Sequence, residues 1–153
     1  MNLILENSKY TEYYTYLDQV FSSVPELLSL NWLITDLEYN FCTDSRLQTD
    51  PVIIDGKSLY EIIKKEKVQF IWAVFSGFKN KIENCSENLP FANGNPEFWK
   101  GSPTLQAEGA EIEIVCWDST LTLFIGSNNN VTKKLKVLYP DIKNLDHENE
   151  ARS

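Results

Sequence analysis

Residues 68–75, Val-Gln-Phe-Ile-Trp-Ala-Val-Phe, constrain the fold more than any other stretch. Successive side chains of a strand point to opposite faces. Val68, Phe70, Trp72 and Val74 then share one face, and Gln69, Ile71, Ala73 and Phe75 share the other. Both faces are mainly apolar, which places this strand centrally in a sheet. The run Val68 to Phe78 is also the longest apolar candidate in the chain, and it falls well short of the ~20 residues of a membrane span.

The rest of the chain supplies partners for that strand. Leu30 to Thr35 reads as a strand, Asp36 to Glu38 as a turn, and Tyr39 to Cys42 as the returning strand of a hairpin. Ala110–Trp117 and Thr120–Gly126 form a second hairpin around Asp118-Ser119. Its first strand puts Ala110, Ile112, Ile114 and Cys116 on one face and Glu111, Glu113, Val115 and Trp117 on the other. Helical spacing recurs at Tyr10, Tyr13, Tyr14, Leu17, Val20, Phe21 and Val24, with Asn7 or Ser8 as cap and Pro25 as stop. Ser58-Leu59-Tyr60-Glu61 is a capping-box pattern that opens a second helix with Leu59, Ile62 and Ile63 on its apolar face. Lys64, Lys65 and Lys67 sit at its end, where cations suit the helix dipole. A third helix starts after Ser127 or Asn128, carries Val131, Leu135, Leu138 and Tyr139, and stops at Pro140. Residues 79–106 are irregular, with one helical turn expected near Pro96-Glu97-Phe98-Trp99; loops of this length are often functional. The order α-β-β-α-β-loop-β-β-α predicts a single α+β domain over residues 1–140, a largely antiparallel sheet packed with about three helices. Residues 141–153 are polar and read as a loose C-terminal tail.

Composition narrows the chemistry. A chain of 153 residues is one domain's length. It carries 14 Lys and Arg against 22 Asp and Glu, a net charge of −8. Phosphate backbones and anionic lipid repel such a chain, so neither nucleic acid nor a membrane is an expected partner. Cys42, Cys85 and Cys116 are widely spaced and odd in number, as reduced thiols would be. The opening Met1 to Glu6 has no basic n-region, and the expected location is cytoplasmic. The glycosylation-like triplets Asn84-Cys85-Ser86 and Asn130-Val131-Thr132 are then chance matches. The sequence holds no phosphate loop, dinucleotide fingerprint, HExxH, zinc-ligand spacing or GxSxG. His147 is the single histidine and lies in the acidic tail, a poor place for a general base. Glu111 and Glu113 point to one face of a strand; such a pair suits acid–base work or a divalent cation, but acids on a solvent face are the plainer reading. The expectation is a protein that is not an enzyme, with no catalytic residues, metal or cofactor.

Charge placement says more than any motif. Residues 36–56 carry a net −4 and residues 83–118 a net −6. These two segments hold the Asp36–Glu38 turn and the Glu108–Asp118 strand. Brought to one side, they make a negative patch carrying Trp117 and Trp99, which suits a basic protein partner.

Several stretches, in this order, carry a resemblance: Asn31-Trp32-Leu33-Ile34 with Glu38, Asp55-Gly56-Lys57-Ser58-Leu59 running into Ile62-Ile63, Ile71-Trp72-Ala73-Val74-Phe75, and Ile112 through Ser119. The chain resembles the small acidic immunity proteins of bacterial contact-dependent growth inhibition and polymorphic-toxin systems. The resemblance implies inhibition by tight binding. The protein would cover the active site or substrate groove of a cognate secreted toxin domain, a basic nuclease. From charge and turn placement, the interface residues are Asp36, Glu38, Glu111, Glu113, Trp117 and Asp118. Two alternatives stand beside this one: a regulatory or adaptor module for another protein, and a small-ligand-binding protein using the 79–106 loop, Trp99 and a carboxylate. Strand Ala110–Trp117 is also open to pairing with a partner's strand or with a second copy.

Overall fold

The apolar runs assemble into one antiparallel sheet. The computed structural model describes residues 1–83 and 87–153. In chain order its strands are β1 (Leu3–Leu5), β2 (Asn31–Tyr39), β3 (Val52–Asp55), β4 (Phe70–Phe78), β5 (Ile112–Trp117), β6 (Leu121–Ile125) and β7 (Lys143–Asn144). The helices are α1 (Asp18–Ser23), α2 (Gly56–Glu66), α3 (Asn129–Leu138) and α4 (Leu145–Arg152). Single 3₁₀ turns span Pro25–Ser29, Ser45–Leu47 and Pro96–Trp99. Across the sheet the order is β3-β2-β4-β5-β6-β1-β7. The doubly apolar β4 is interior, as its composition requires.

The two faces of the sheet have different covers. On one, Phe21 of α1, Leu59 and Ile62 of α2 and Leu135 of α3 pack on Trp32, Ile34, Phe75 and Ile114. On the other, Ile4, Val74, Val115, Leu123 and Ile125 lie beneath Ala92 and Phe98 of the long loop and Leu145 of α4. Each large apolar side chain so buried contributes roughly 1.5–3 kcal/mol. Polar anchors fix the second cover. The Asn149 amide donates to the carbonyls of Phe98 and Gly101 at 2.9 and 3.0 Å. The Asn2 amide donates to the Pro103 carbonyl at 2.7 Å and to Asp146 at 3.0 Å.

Several expectations hold and several change. The β5–β6 hairpin turns at Asp118 and Ser119, with φ of 49° and 59°, the left-handed pair of a type I′ turn. The side chain of Asn128 caps α3 by accepting from Val131 N–H at 2.9 Å, and the expected turn at Pro96–Trp99 is present. The helix expected from Tyr10 to Val24 forms only over Asp18–Ser23. Its tyrosines run instead along the end of the sheet: Tyr16 bridges to Gln69, and the Tyr14 carbonyl accepts from the Thr122 hydroxyl. These tertiary pairings override a local helical preference.

Asp36 to Glu38 is not a turn. Strand β2 continues through it with register shifts between Thr35 and Tyr39, and Asp36 takes φ of 53°. Extra residues in one strand make a bulge rather than a reversal. The bulge also breaks the simple alternation of residues 68–75. Phe70 joins Ala73 and Phe75 in the helix-side core, while Trp72 and Val74 face the other cover. The strand that returns beside β2 is therefore Val52–Asp55, not Tyr39–Cys42. Helix α2 is capped by Asp55, whose carboxylate accepts from Ser58 N–H at 3.0 Å, rather than by the Ser58/Glu61 box. Residues 141–153 hold β7 and α4 rather than a loose tail. Asn130-Val131-Thr132 lies in the first turn of α3; Asn84-Cys85-Ser86 lies outside the described residues. Cys42 and Cys116 are buried free thiols.

The entry to α2 is sterically tight. A Cβ on Gly56 would stand 2.5 Å from the Leu27 carbonyl oxygen and 2.7 Å from that of Leu28. Both obstacles are backbone and cannot rotate away. Gly56→Ala is expected to destabilise the fold by about 2 kcal/mol, read as a lower midpoint in urea with unchanged slope.

Candidate interaction surface

Register builds the surface. Glu38 of β2 stands opposite Trp72 of β4, and Trp117 of β5 stands opposite Leu121 of β6. Ala73 pairs with Cys116, so the next position along brings Trp72 beside Trp117. A transverse row results, Glu38, Trp72, Trp117 and Leu121, at the end of the sheet where β4 begins. The 3₁₀ turn of the long loop adds Trp99. The Trp117 ring meets those of Trp72 and Trp99 edge to face, at 4.9 Å each, and that of Phe98 at 6.2 Å. Trp72, Trp99, Trp117 and Leu121 are each half-buried, packed on the second core but open on one side.

The indole N–H groups separate core from surface. The fully buried Trp32 donates to the Leu27 carbonyl at 3.0 Å. Among the described residues, the indoles of Trp72, Trp99 and Trp117 make ring contacts but no hydrogen bond to the protein. An aromatic body with a free donor at its rim is how tryptophan serves at interfaces. The Arg152 guanidinium lies 5.0 Å over the Trp99 ring and 3.5 Å from Glu6.

The six residues chosen from sequence divide. Glu38, Trp117 and Asp118 come together at this end, where Ser119 N–H donates to the Ile71 carbonyl at 3.0 Å and ties the hairpin turn to β4. Glu38 and Asp118 are both exposed. Asp36 serves the fold itself: one carboxylate oxygen accepts from the N–H groups of Ala92 and Asn93, at 2.9 and 2.8 Å. It holds the long loop against the bulge. Glu111 sits at the opposite end of β5, 3.8 Å from Lys79.

Glu113 is the clearest correction. It is fully buried, not on a solvent face. Its carboxylate accepts from the Ser76 hydroxyl at 2.6 Å, Gln106 N–H at 2.6 Å and Ala107 N–H at 3.0 Å. Burial pushes its carboxyl above the usual range, against these hydrogen bonds, which pull it down. The long loop folds over the strand face that alternation alone leaves to water. Strand β5 is likewise paired on both sides, by β4 and β6, so it cannot accept another strand. The sequence pattern places Trp72 in the sheet and does not mark it as a surface residue. Its neighbour across the sheet, Trp117, was the available signal, but their register depends on a bulge that alternation does not reveal.

Among the described residues, no group of three or more metal-ligating side chains converges, and no helix is long and apolar enough to cross a membrane. His147 is exposed on α4. No family model, no curated protein and no solved structure matches this chain.

Proposed function

We propose that this chain is an immunity protein: without catalysis of its own, it binds a cognate secreted toxin domain, a basic nuclease, and covers its active site or substrate groove. The observation that carries the reading is the half-buried tryptophan surface of Trp72, Trp99 and Trp117 beside the exposed carboxylates of Glu38 and Asp118. Tryptophans clustered at the centre of a contact supply most of its binding free energy. A nuclease must be basic where it holds phosphate, and carboxylates placed there imitate the charge of its substrate. Close charge pairs across such an interface couple by roughly 1.5–7 kcal/mol. The net charge of −8 adds long-range attraction that speeds encounter. Speed matters to an inhibitor that must capture a toxin before it acts.

The test is rescue. The toxin is sought in a neighbouring gene for a large secreted protein with a variable C-terminal domain. Co-expression with that domain is expected to restore growth of a susceptible strain, and the purified pair to form an equimolar complex. Continued killing, with no complex, would contradict the proposal and favour an adaptor for an unrelated protein.

A further inference from the structure

Tyr10 and Tyr13, which leave the expected helical stripe, line a cleft together with Tyr16. It measures about 430 Å³ and is lined by Tyr10, Glu12, Tyr13, Tyr16, Asp18 and Lys67, among others. Tyr10 and Tyr13 are each 55% exposed, although burying either ring would be favourable. Tyr13 and Tyr16 meet edge to face at 5.1 Å and 70°, so two ring planes stand at an angle around the opening. The face of an aromatic ring is electron-rich and attracts cations, most strongly alkylated ammonium groups held among several rings. Glu12 and Asp18 add two carboxylates, and the ion pairs among the described residues engage neither. Lys67 supplies one opposing charge but occupies none of these rings: the described cation–ring contacts are Lys64 on Tyr60 and Arg152 on Trp99. Carboxylates thus outnumber ammonium two to one in a lining that includes the exposed rings of Tyr10 and Tyr13.

We propose that this cleft binds an organic ammonium group, with the tyrosine faces against its methyl or methylene surface and Glu12 and Asp18 balancing its charge. The cleft shares no residue with the tryptophan surface, so its ligand can be tested without a toxin in hand. Such a group has two sources, a free quaternary ammonium compound or a lysine side chain of a protein.

Three probes at equal ionic strength separate the possibilities: choline, N-acetyl-lysine methylamide, and 3,3-dimethylbutan-1-ol, a neutral molecule of choline's shape. Each is titrated while the tyrosine ring resonances are followed by NMR. Choline is expected to shift Tyr10, Tyr13 and Tyr16 saturably, with the neutral analogue at least about tenfold weaker. Saturation by choline alone assigns the cleft to a free quaternary ammonium compound. Saturation by the lysine amide as well assigns it to a protein side chain. Tyr13→Phe should keep binding, Tyr13→Leu should abolish it, and Asp18→Asn should weaken it. Equal affinity for choline and its neutral analogue, or no saturable shift with either cation, would overturn the proposal. Those comparisons use the unaltered chain, so they decide the matter even if a tyrosine variant folds poorly.

Discussion

Replacing Glu113 with leucine is expected to lower stability by about 3–5 kcal/mol, because three donors then lose their acceptor beneath the long loop. Those donors are the Ser76 hydroxyl and the N–H groups of Gln106 and Ala107. For a chain of this size the loss corresponds to a melting temperature lower by about 10 °C. Glu113→Gln is the sharper probe. Whichever way the amide is placed, its NH₂ faces one of the two backbone N–H groups. The expected cost is about 1–3 kcal/mol. The protonated acid avoids that conflict, since the Ser76 hydroxyl can accept as readily as it donates. The pH dependence follows from the sign of the shift. Burial raises the folded carboxyl above its unfolded value, so the folded state binds its proton more tightly. The stability Glu113 contributes is fully present below the unfolded value and is lost as pH rises through the folded one. The gap between native chain and Glu113→Gln should therefore be widest in acid and narrow towards neutral pH. Melting curves of both proteins from pH 4 to 8 check it; a gap that widens with pH would show that the buried carboxylate is favoured as an anion.

The second large effect concerns binding. Trp117→Ala is expected to weaken the complex with the toxin by about 2–4 kcal/mol, or roughly 30- to 1,000-fold. Trp117 touches Trp72, Phe98 and Trp99, so its removal empties the middle of the surface. The loss should appear mainly as faster dissociation. Neutralising Asp118 and reversing Glu38 should act differently, slowing association and flattening its salt dependence. Asp118→Asn is the suitable neutral variant, because asparagine tolerates the left-handed backbone of that turn position. Surface plasmon resonance at two salt concentrations separates the two kinds of effect. Slower association on Trp117→Ala, with dissociation unchanged, would place the ring outside the contact.

What could be read from the sequence was what depends on local pattern. The β5–β6 hairpin has its turn pair, α3 has its Asn128 cap and following Pro140, and β4 has two apolar faces. The α+β class and the largely antiparallel sheet follow from these. Other features depend on partners distant in the chain. Strands β1, β3 and β7 have three, four and two residues, too few for a period to register. They exist because β6, β2 and β1 offer them open edges. The Tyr10–Tyr16 stretch has helical spacing but is held by pairings to Gln69 and Thr122. The candidate surface was legible to the same depth. Glu38, Trp117 and Asp118, chosen by charge and turn placement, lie together at one end of the sheet, although Glu38 stands in a bulged strand and not in a turn. Asp36 and Glu113 carry the same charge but anchor the long loop, and only the folded chain tells an anchoring carboxylate from a free one.

The most direct measurement is an affinity capture from the strain that makes this protein, with native, Trp117→Ala and Glu38→Lys baits side by side and washes at low and high salt. The native bait is expected to retain one basic protein in equimolar amount, less firmly at high salt, and that protein should be the secreted toxin domain. Trp117→Ala should lose it at both salt concentrations, and Glu38→Lys should retain less of it at low salt. Equal retention of that protein by all three baits would show that the tryptophan surface is not where the toxin binds.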